Sequence, residues 1–408
     1  MLSIFEAGRI LAKKYTTEVI MEVTTHTEAV GQEGYRRLEN PLIVGRGKLS
    51  DPRANAAWAE SMLHWHYQGD PLAETVALRL REQGAALGQP AAAVRLLARQ
   101  GDTACRRFLE DMEAVPEWVD FEVMRCGGAM IQRHFPHMIL ALTYGVLPLT
   151  FGHPDAAAIF VGTGRLEANV TRRLNESAAL FFKVSDSDAL APGGRVWETC
   201  LHVRLVHALV RMRCLEQGWD VQAQGMPVSQ LATAAGPAFF GAQMLDCMRL
   251  LGARISEEEA AGHRLVWRYT TRLMGVPETL LGRSQQEQDD FDAALMSQFF
   301  APDDNARTVM AALLKGLSNQ RPTSRLPRHL HAALFRYLLG DEEANAFGIP
   351  SGRDGKRVLS VLRSGLSGYA GLQRVPGMPA GLRWLGKVML SRLSGEGLVS
   401  PASAGTAH

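Results

Sequence analysis

The chain has no long apolar run, no closely paired cysteines and no excess of charge of one sign. Its 408 residues carry a formal net charge of +2, and aromatic residues make up 7% of them. A nearly neutral chain with few aromatic residues lacks both the basic surface and the stacking platforms that nucleic-acid-binding proteins use. Because no run of about 18 or more apolar residues occurs, the sequence also predicts no membrane-spanning helix.

Cysteine and targeting signals are equally sparse. The five cysteines are scattered, odd in number and form no C-x-x-C pair: Cys105, Cys126, Cys200, Cys214 and Cys247. This usage argues against a disulfide framework or a zinc finger and favours a reducing compartment. Charged residues at Glu6, Arg9 and Lys13 interrupt the N-terminus before a signal-like apolar core develops. We therefore expect a cytoplasmic protein.

Helical periodicity dominates after about residue 55, and neither strand alternation nor β-hairpin signals stand out. Two helix starts are clear. Asp70-Pro71 combines an N-cap residue with a proline at the first helical position, and Ser256 forms a capping box with Glu259. The predicted fold class is all-α. We divide the chain into an N-terminal helix and loop extension at 1–55, an all-α domain at 56–346 and a loop-rich C-terminal extension at 347–408.

The C-terminal extension contains one short basic amphipathic segment, residues 382–393. A segment of this kind can touch a membrane surface or a partner protein. Docking on the protein's own core is the favoured alternative, because its apolar residues recur at helical spacing. Peripheral membrane contact is therefore kept as the second interpretation.

The central segment, residues 199–213, lacks proline and glycine and predicts a helix with a dense apolar stripe. Three apolar residues share the helix face of His207: Val203, Val206 and Val210. Arg204 and Arg211 lie at i−3 and i+4 from His207, and nearby cations disfavour a proton on its imidazole. The neutral, metal-binding form is thus favoured. A buried helix with one satisfied core histidine is the alternative that the residues alone leave open.

A second candidate cluster lies earlier in the chain. On a helix, Arg173, Glu176 and Ser177 share one face at i, i+3 and i+4. These groups above an apolar pocket can steer a diatomic ligand or move a proton, whereas an exposed Arg–Glu pair is the plainer interpretation. Combined with His207 as a proximal ligand, the cluster indicates the distal face of a haem pocket. Arg204 and Arg211 can pair with haem propionates or with carboxylates at helix ends.

Other motif-like spacings point to ordinary structure. Glu198 with His202, and Glu259 with His263, form E-x-x-x-H pairs that place both side chains on one helix face. Two such pairs are too few ligands for a di-iron site, so ordinary pairing is favoured over metal binding. Gly162-Thr163-Gly164 lacks the third glycine of a dinucleotide-binding loop and predicts the turn that ends a helix.

Seven short motifs occur in an order that identifies a family: Gly69-Asp70-Pro71; Pro116-Glu117-Trp118-Val119-Asp120; Gly162-Thr163-Gly164-Arg165-Leu166; Arg172-Arg173-Leu174 with Ser177; Val203 to Ala208 with Val210-Arg211; Gly225 to Gln230; and Trp267-Arg268-Tyr269 with Leu273 to Val276. They resemble the haem-b oxygenase family that includes latex clearing protein, the bacterial rubber oxygenase, and the oxygenase of mycophenolate biosynthesis. The likeness runs from about residue 65 to about residue 320.

The resemblance implies a globin-like helical core with additional N- and C-terminal helices, and haem b as cofactor. It makes His207 the axial ligand, which is a metal-binding role. It places Arg173 and Ser177 on the distal side, and it lets Arg204 and Arg211 stabilise the site. The rubber-cleaving members carry Lys at the position of Glu176 and Thr at that of Ser177, and they are exported. A polymer outside the cell is therefore not the expected substrate.

The predicted function is that of a b-type haem oxygenase that acts with O₂ on a hydrophobic small molecule. Arg173 is expected to stabilise the polarised oxygen, Glu176 to act as acid or base and Ser177 to donate a hydrogen bond. Oxidative cleavage, hydroxylation and desaturation all fit this assignment. Two alternatives from other classes are a non-catalytic haem protein that senses or stores a gas and a haem-free helical interaction protein.

Overall fold

The computed structural model describes residues 61, 63–84, 90–161, 180–319, 326–351 and 355–393. Within those ranges the chain is helical and no strand occurs, which confirms the predicted all-α fold class. The predicted N-terminal extension at 1–55 lies outside the described residues. So does the segment with Arg173, Glu176 and Ser177, together with the turn predicted at Gly162-Thr163-Gly164.

Seventeen α-helices follow one another in the described ranges: α1 Pro71–Glu82, α2 Pro90–Arg99, α3 Thr103–Glu113, α4 Phe121–Arg133, α5 Phe135–Ala141, α6 Pro154–Val161, α7 Arg195–Glu216, α8 Val221–Gln224, α9 Gln230–Ala234, α10 Met244–Leu250, α11 Glu257–Leu273, α12 Gln285–Phe299, α13 Asp304–Asn319, α14 Arg328–Leu339, α15 Asp341–Ala346, α16 Gly355–Gly371 and α17 Met378–Leu393. Two segments are π-helical. Leu142–Val146 directly follows α5, and Pro237–Gln243 directly precedes α10.

Both helix starts that the sequence predicts are present. The Asp70 carboxylate accepts a hydrogen bond from the Ala73 backbone N–H at 3.1 Å, and Pro71 is the first residue of α1. At the start of α11, Ser256 Oγ accepts from the Glu259 N–H at 3.2 Å. The Glu259 carboxylate accepts from the Ser256 N–H at 3.1 Å, which completes the capping box.

Removing this cap should weaken α11 measurably. We expect Ser256→Ala to lower the free energy of unfolding by about 1 kcal/mol, because the Glu259 backbone N–H at the helix start loses the hydroxyl oxygen that accepts its hydrogen bond. Urea denaturation followed by circular dichroism measures the change. Ser360→Ala is a matched control, because Ser360 is exposed within α16 and alanine is the better helix former there. Equal stabilities of the two variants would show that the box contributes nothing.

Helices α4 and α11 pack closely against each other, and glycines allow their approach. A Cβ atom on Gly127 would lie 2.2 Å from the His263 backbone nitrogen, and one on Gly262 would lie 2.2 Å from the Val123 carbonyl oxygen. Helix α17 crosses the other side of α4 through Gly386, whose Cβ would meet the Gln132 carbonyl oxygen. Side chains larger than glycine would push these backbones apart.

The central helix α7 is longer than predicted and extends over Arg195–Glu216. One side of it is fully buried against α1, α2 and α11, through Trp197, Leu201, Leu205 and Ala208. The flank with His207 is instead half-buried, as are the three valines that share it. The helix therefore presents His207 on its more open side rather than in the packed core.

Two parts of the predicted secondary structure are wrong. The helix predicted near 327–346 is divided into α14 and α15, because Gly340 adopts a left-handed conformation with φ of 98° between them. The loop predicted over 347–381 contains α16, although this helix includes several glycines. Burial of Leu366 and Ala370 and packing against α14 stabilise it despite the low helix propensity of glycine.

The basic C-terminal segment docks on the core, as the sequence favours. Leu382, Gly386 and Leu390 are the buried residues of α17, while Trp384 on the outer side is 68% exposed. Within the described ranges no single helix is long and apolar enough to cross a membrane; Phe135–Phe151 and Pro154–Val161 reach that length only together, across a bend of 97°. Peripheral membrane contact and a cytoplasmic location stay predictions.

Candidate active site

A cavity of about 280 Å³ lies beside α7. Its volume is close to the lower end of the range of small-molecule sites, about 300–1,000 Å³. Most of its wall is apolar and includes Leu149, Ile159, Phe160, Met226, Leu231 and Leu295. The polar groups in the wall include His66, His153, Asp155, His207, Ser229 and Thr233. An apolar concave space with a few polar groups is the usual form of a ligand pocket.

His207 is the α7 residue in the cavity wall. Its Nδ1 is buried and has no hydrogen-bond partner among the described residues. The His207 side chain contributes to the cavity wall, and Nε2 is its second possible donor atom. The predicted ligand residue thus faces an apolar space with a nitrogen that can bind a metal.

The His207 imidazole is neutral near pH 7. Burial, with a smaller contribution from Arg211 and an opposing one from Asp70, lowers its pKa from 6.5 to about 4. The sequence predicts the same direction from the neighbouring arginines, but burial is the larger cause. A neutral imidazole is the form that donates a lone pair to a metal.

Arg204 is 4% exposed and is neutralised by two carboxylates. Its Nε lies 2.6 Å from Asp70 Oδ2, and its Nη1 lies 2.5 Å from Asp111 Oδ2. Asp111 also binds Arg272, with Nη2 and Oδ1 2.9 Å apart. Burial alone would raise the pKa of Asp111, but Arg204 and Arg272 together lower it. This buried network joins α7 to the start of α1, to α3 and to α11.

Arg211 is paired in the same way, one turn beyond His207. Its Nε lies 2.9 Å from Glu74 Oε1, without the alignment of a hydrogen bond, and its Nη1 donates to the His207 carbonyl oxygen at 3.3 Å. Burial raises the pKa of Glu74 and lowers that of Arg211. Neither arginine lines the described cavity. Of the two pairings that the sequence allows for Arg204 and Arg211, the described contacts are those with carboxylates near helix ends.

Motifs that are far apart in the sequence meet around these arginines. Gly275 has φ of 91°, and a Cβ atom there would lie 2.2 Å from Asp70 Oδ2 and 2.5 Å from Arg204 Nε. Gln230 donates through Nε2 to the Gly69 carbonyl oxygen at 2.9 Å. Four of the seven sequence motifs therefore converge on α7, and their residues hold the helix that carries His207.

A group that the sequence analysis missed lies in the same cavity wall. His66, His153 and Asp155 each offer a ligand atom, and these atoms lie within 4.8 Å of one another. Asp155 Oδ2 is 3.8 Å from His66 Nε2 and 3.4 Å from His153 Nδ1. No other group of three possible metal-binding side chains was found among the residues described. In the sequence, His153 and Asp155 lie in Gly152-His153-Pro154-Asp155, a pattern that predicts only the start of a helix.

The connection between α8 and α9 is strained where it meets the cavity. Val228 has φ of 51°, and a β-branched residue in this region costs about 1–3 kcal/mol. Gly225, with φ of 75°, lies against His66, because a Cβ atom there would be 2.1 Å from His66 Nε2. The Met226 N–H donates to the His66 carbonyl oxygen at 3.0 Å. This connection therefore fixes the position of His66.

The E-x-x-x-H pairs form ordinary contacts. Glu198 pairs with Arg95 at 2.8 Å, and Glu259 pairs with Arg133 besides capping α11. His263 Nε2 lies 2.8 Å from the Phe240 carbonyl oxygen. These contacts agree with the favoured interpretation, which assigns neither pair to a metal.

Comparison with known proteins identifies the family. Residues 133–368 match the family described as ER-bound oxygenase mpaB/B'/Rubber oxygenase, catalytic domain. This chain belongs to that family. Rubber oxygenase from Streptomyces sp. (strain K30) is 24% identical over 282 residues, which cover 67% of this chain and 68% of the relative. The structure of latex clearing protein in the closed state aligns with a TM-score of 0.60 and 21% identity, over 81% of this chain and 90% of that one.

Membership of the mpaB/rubber oxygenase family makes this chain an oxygenase and confirms the resemblance that the motifs indicate. The matched region contains His153, Asp155 and His207, whereas His66 and Asp70 precede it. It continues to residue 368, beyond the predicted domain end at 346 and into α16. The likeness to latex clearing protein extends the shared helical fold to most of the chain.

Proposed function

We propose that this oxygenase uses haem b and that His207 would hold its iron. The observation that carries the proposal is a neutral imidazole in the wall of an apolar cavity, with a buried Nδ1 that has no hydrogen-bond partner among the described residues. This donor set fits the proximal side of a haem, where a histidine in apolar surroundings is the usual ligand. When bound, haem would supply the iron at which dioxygen is activated.

The chain's own residues hold His207 in place. Arg204 and Arg211 bracket it on α7 and tie this helix to Asp70 and Glu74 at the start of α1. We assign them a positioning role, because their charges are already neutralised and they do not line the described cavity. The apolar wall excludes water, which strengthens any electrostatic interaction inside the cavity.

Three residues outside the described ranges complete the proposal from the sequence. Arg173 would stabilise negative charge on oxygen, Ser177 would donate a hydrogen bond, and Glu176 would hold or release a proton. A carboxylate at 176 differs in charge from the lysine of the rubber-cleaving members. This difference supports proton chemistry suited to another substrate.

The substrate that we propose is a small hydrophobic molecule. Most of the wall of the cavity is apolar, which suits a hydrophobic substrate. The relative from Streptomyces is named a rubber oxygenase. This chain would carry out the same class of reaction on a smaller substrate.

Haem binding is tested directly by absorption spectroscopy. We expect the full chain, expressed with a haem precursor or mixed with hemin, to show the intense Soret absorption of bound haem and to contain about one iron per chain. Iron analysis after gel filtration measures the stoichiometry. A colourless protein that also fails to take up hemin would overturn the haem assignment while leaving the family membership untouched.

Oxygen consumption then separates the proposal from the two alternatives. An oxygenase consumes O₂ in the presence of a suitable apolar alkene, whereas a protein that only senses or stores a gas binds O₂ without turnover. Family membership already supports the first outcome. A haem-free interaction protein would show neither the absorption band nor the consumption.

A further inference from the structure

We propose that His66, His153 and Asp155 form a binding site for a divalent transition-metal ion, separate from His207. The three side chains come from two distant parts of the chain, the segment before α1 and the start of α6. All three line the cavity that His207 also lines. The proposal does not depend on haem, since none of the three residues is assigned to the axial position.

The distances suit a shared ion better than direct contacts. A metal with bonds of about 2.0–2.1 Å to nitrogen and oxygen holds tetrahedral ligand atoms about 3.3 Å apart. Asp155 Oδ2 lies 3.4 Å from His153 Nδ1 and 3.8 Å from His66 Nε2. Both separations exceed the usual hydrogen-bond range of about 2.7–3.2 Å. A contraction of about half an ångström would bring the longer one to the coordination distance.

The donor types select the class of ion. Two imidazoles with one carboxylate suit zinc or ferrous iron, whereas calcium and magnesium prefer oxygen ligands. Three protein ligands also leave coordination positions for water or another small ligand, which is the composition of open rather than structural sites. The cavity gives such a ligand the space to bind.

Burial and backbone contacts hold the cluster in place. His66 and Asp155 are 8% and 9% exposed. The His66 ring lies against Gly225, where any larger residue would collide with Nε2. The rings of His66 and His153 meet edge to face with centroids 5.6 Å apart. The cluster is therefore assembled before an ion arrives, which lowers the ordering cost of binding.

A hydrogen bond between two of the three residues competes with the ion. His153 Nδ1 accepts a hydrogen bond from the Asp155 backbone N–H at 3.3 Å, at the start of α6. Metal binding through Nδ1 would exchange this long hydrogen bond for a coordinate bond. A cluster that served only to start α6 would keep the hydrogen bond and would bind no ion.

Zinc binding to the full chain tests the proposal. After treatment with a chelator, the protein is dialysed against Zn²⁺ in the presence of a competing chromophoric chelator, and bound zinc is measured apart from iron. We expect about one Zn²⁺ per chain. Asp155→Asn, His66→Gln and His153→Gln should each weaken binding at least tenfold, because each removes one of three ligands.

Matched variants make the result decisive. His64→Gln, two residues from His66 on the exposed side, should leave zinc affinity unchanged, and so should His207→Ala. Zinc should also raise the Tm of the unmodified chain, and His153→Gln, whose side chain is the most exposed of the three, should lose that rise. No bound zinc, zinc unaffected by the three substitutions, or zinc lost only with His207→Ala would each overturn the proposal.

Discussion

With haem bound as proposed, His207→Ala should abolish the Soret absorption and the bound iron of the purified oxygenase. The substitution removes the neutral imidazole from the cavity wall, and no other α7 side chain lines the described cavity. Because the axial ligand fixes the iron, oxygenase turnover should fall to background together with the absorption band. Spectroscopy, iron analysis and oxygen uptake on the same preparation measure the three losses.

His202→Ala is the matched control for this prediction. His202 lies on the same helix, is half-buried and has a pKa that burial and Lys183 lower, but it does not line the cavity. We expect this variant to keep the Soret band and most of its activity. Retention of haem by His207→Ala, or its loss only in His202→Ala, would move the ligand to another residue. A urea titration of both variants separates loss of haem from loss of fold.

His207 can be proposed as a ligand from the sequence alone because the signal is local. The spacing of apolar residues predicts a helix, and positions i−3 and i+4 place two arginines beside the imidazole. Local spacing also identifies the caps at Asp70 and Ser256, both of which are present. Spacing does not identify the ion-pair partner of each charged side chain. The sequence therefore allows Arg204 to pair with haem propionates or with carboxylates.

The cluster of His66, His153 and Asp155 was missed for the same physical reason. Its members are brought together by packing between segments almost 90 residues apart, and no periodicity within either segment records that contact. Gly225, more than 70 residues further along, is the residue against which the His66 ring lies. The sequence contains this glycine but does not indicate that an imidazole packs closely against it.

The wrong prediction of a loop over 347–381 shows that intrinsic helix propensity can mislead where tertiary packing stabilises a helix. Glycines at 365, 368 and 371 lower intrinsic helix propensity by about 1 kcal/mol each relative to alanine. Tertiary packing outweighs that cost, because α16 buries Leu366 and Ala370. Local sequence signals predict helix starts well where a capping side chain decides them, and poorly where burial decides whether a helix forms.

Arg204→Met should lower the free energy of unfolding by about 3–5 kcal/mol, the usual cost of removing one partner from a buried ion pair. Methionine keeps most of the side-chain length but leaves the buried Asp70 carboxylate without its guanidinium partner. Asp70 also caps α1, so the unpaired charge would lie at the start of that helix. Urea denaturation at neutral pH measures the loss, and the position of His207 three residues further along predicts weaker haem retention as well.

The pH dependence of this loss has a defined sign. Arg204 and Arg272 lower the pKa of Asp111 below its ordinary value of 3.8. A depressed carboxylate pKa contributes stability above the ordinary value, and that contribution is lost as the pH falls through the folded-state pKa. The difference between the unmodified chain and Arg204→Met should therefore be largest near neutral pH and shrink below about pH 3.8.

Two further variants distinguish a buried network from an ordinary surface pair. Arg125→Met removes an exposed partner of Asp188, whose contact distance is a similar 3.0 Å, and should cost at most about 1 kcal/mol. The double variant Asp70→Asn with Arg204→Met should recover part of the loss, because no uncompensated charge is left beside α7. If Arg204→Met were no more destabilising than Arg125→Met, or if the double variant were worse than the sum of the single ones, the network would not hold α7 as we describe. Recovery of both stability and haem retention in the double variant would instead show that Arg204 acts on His207 through the position of the helix and not through its charge.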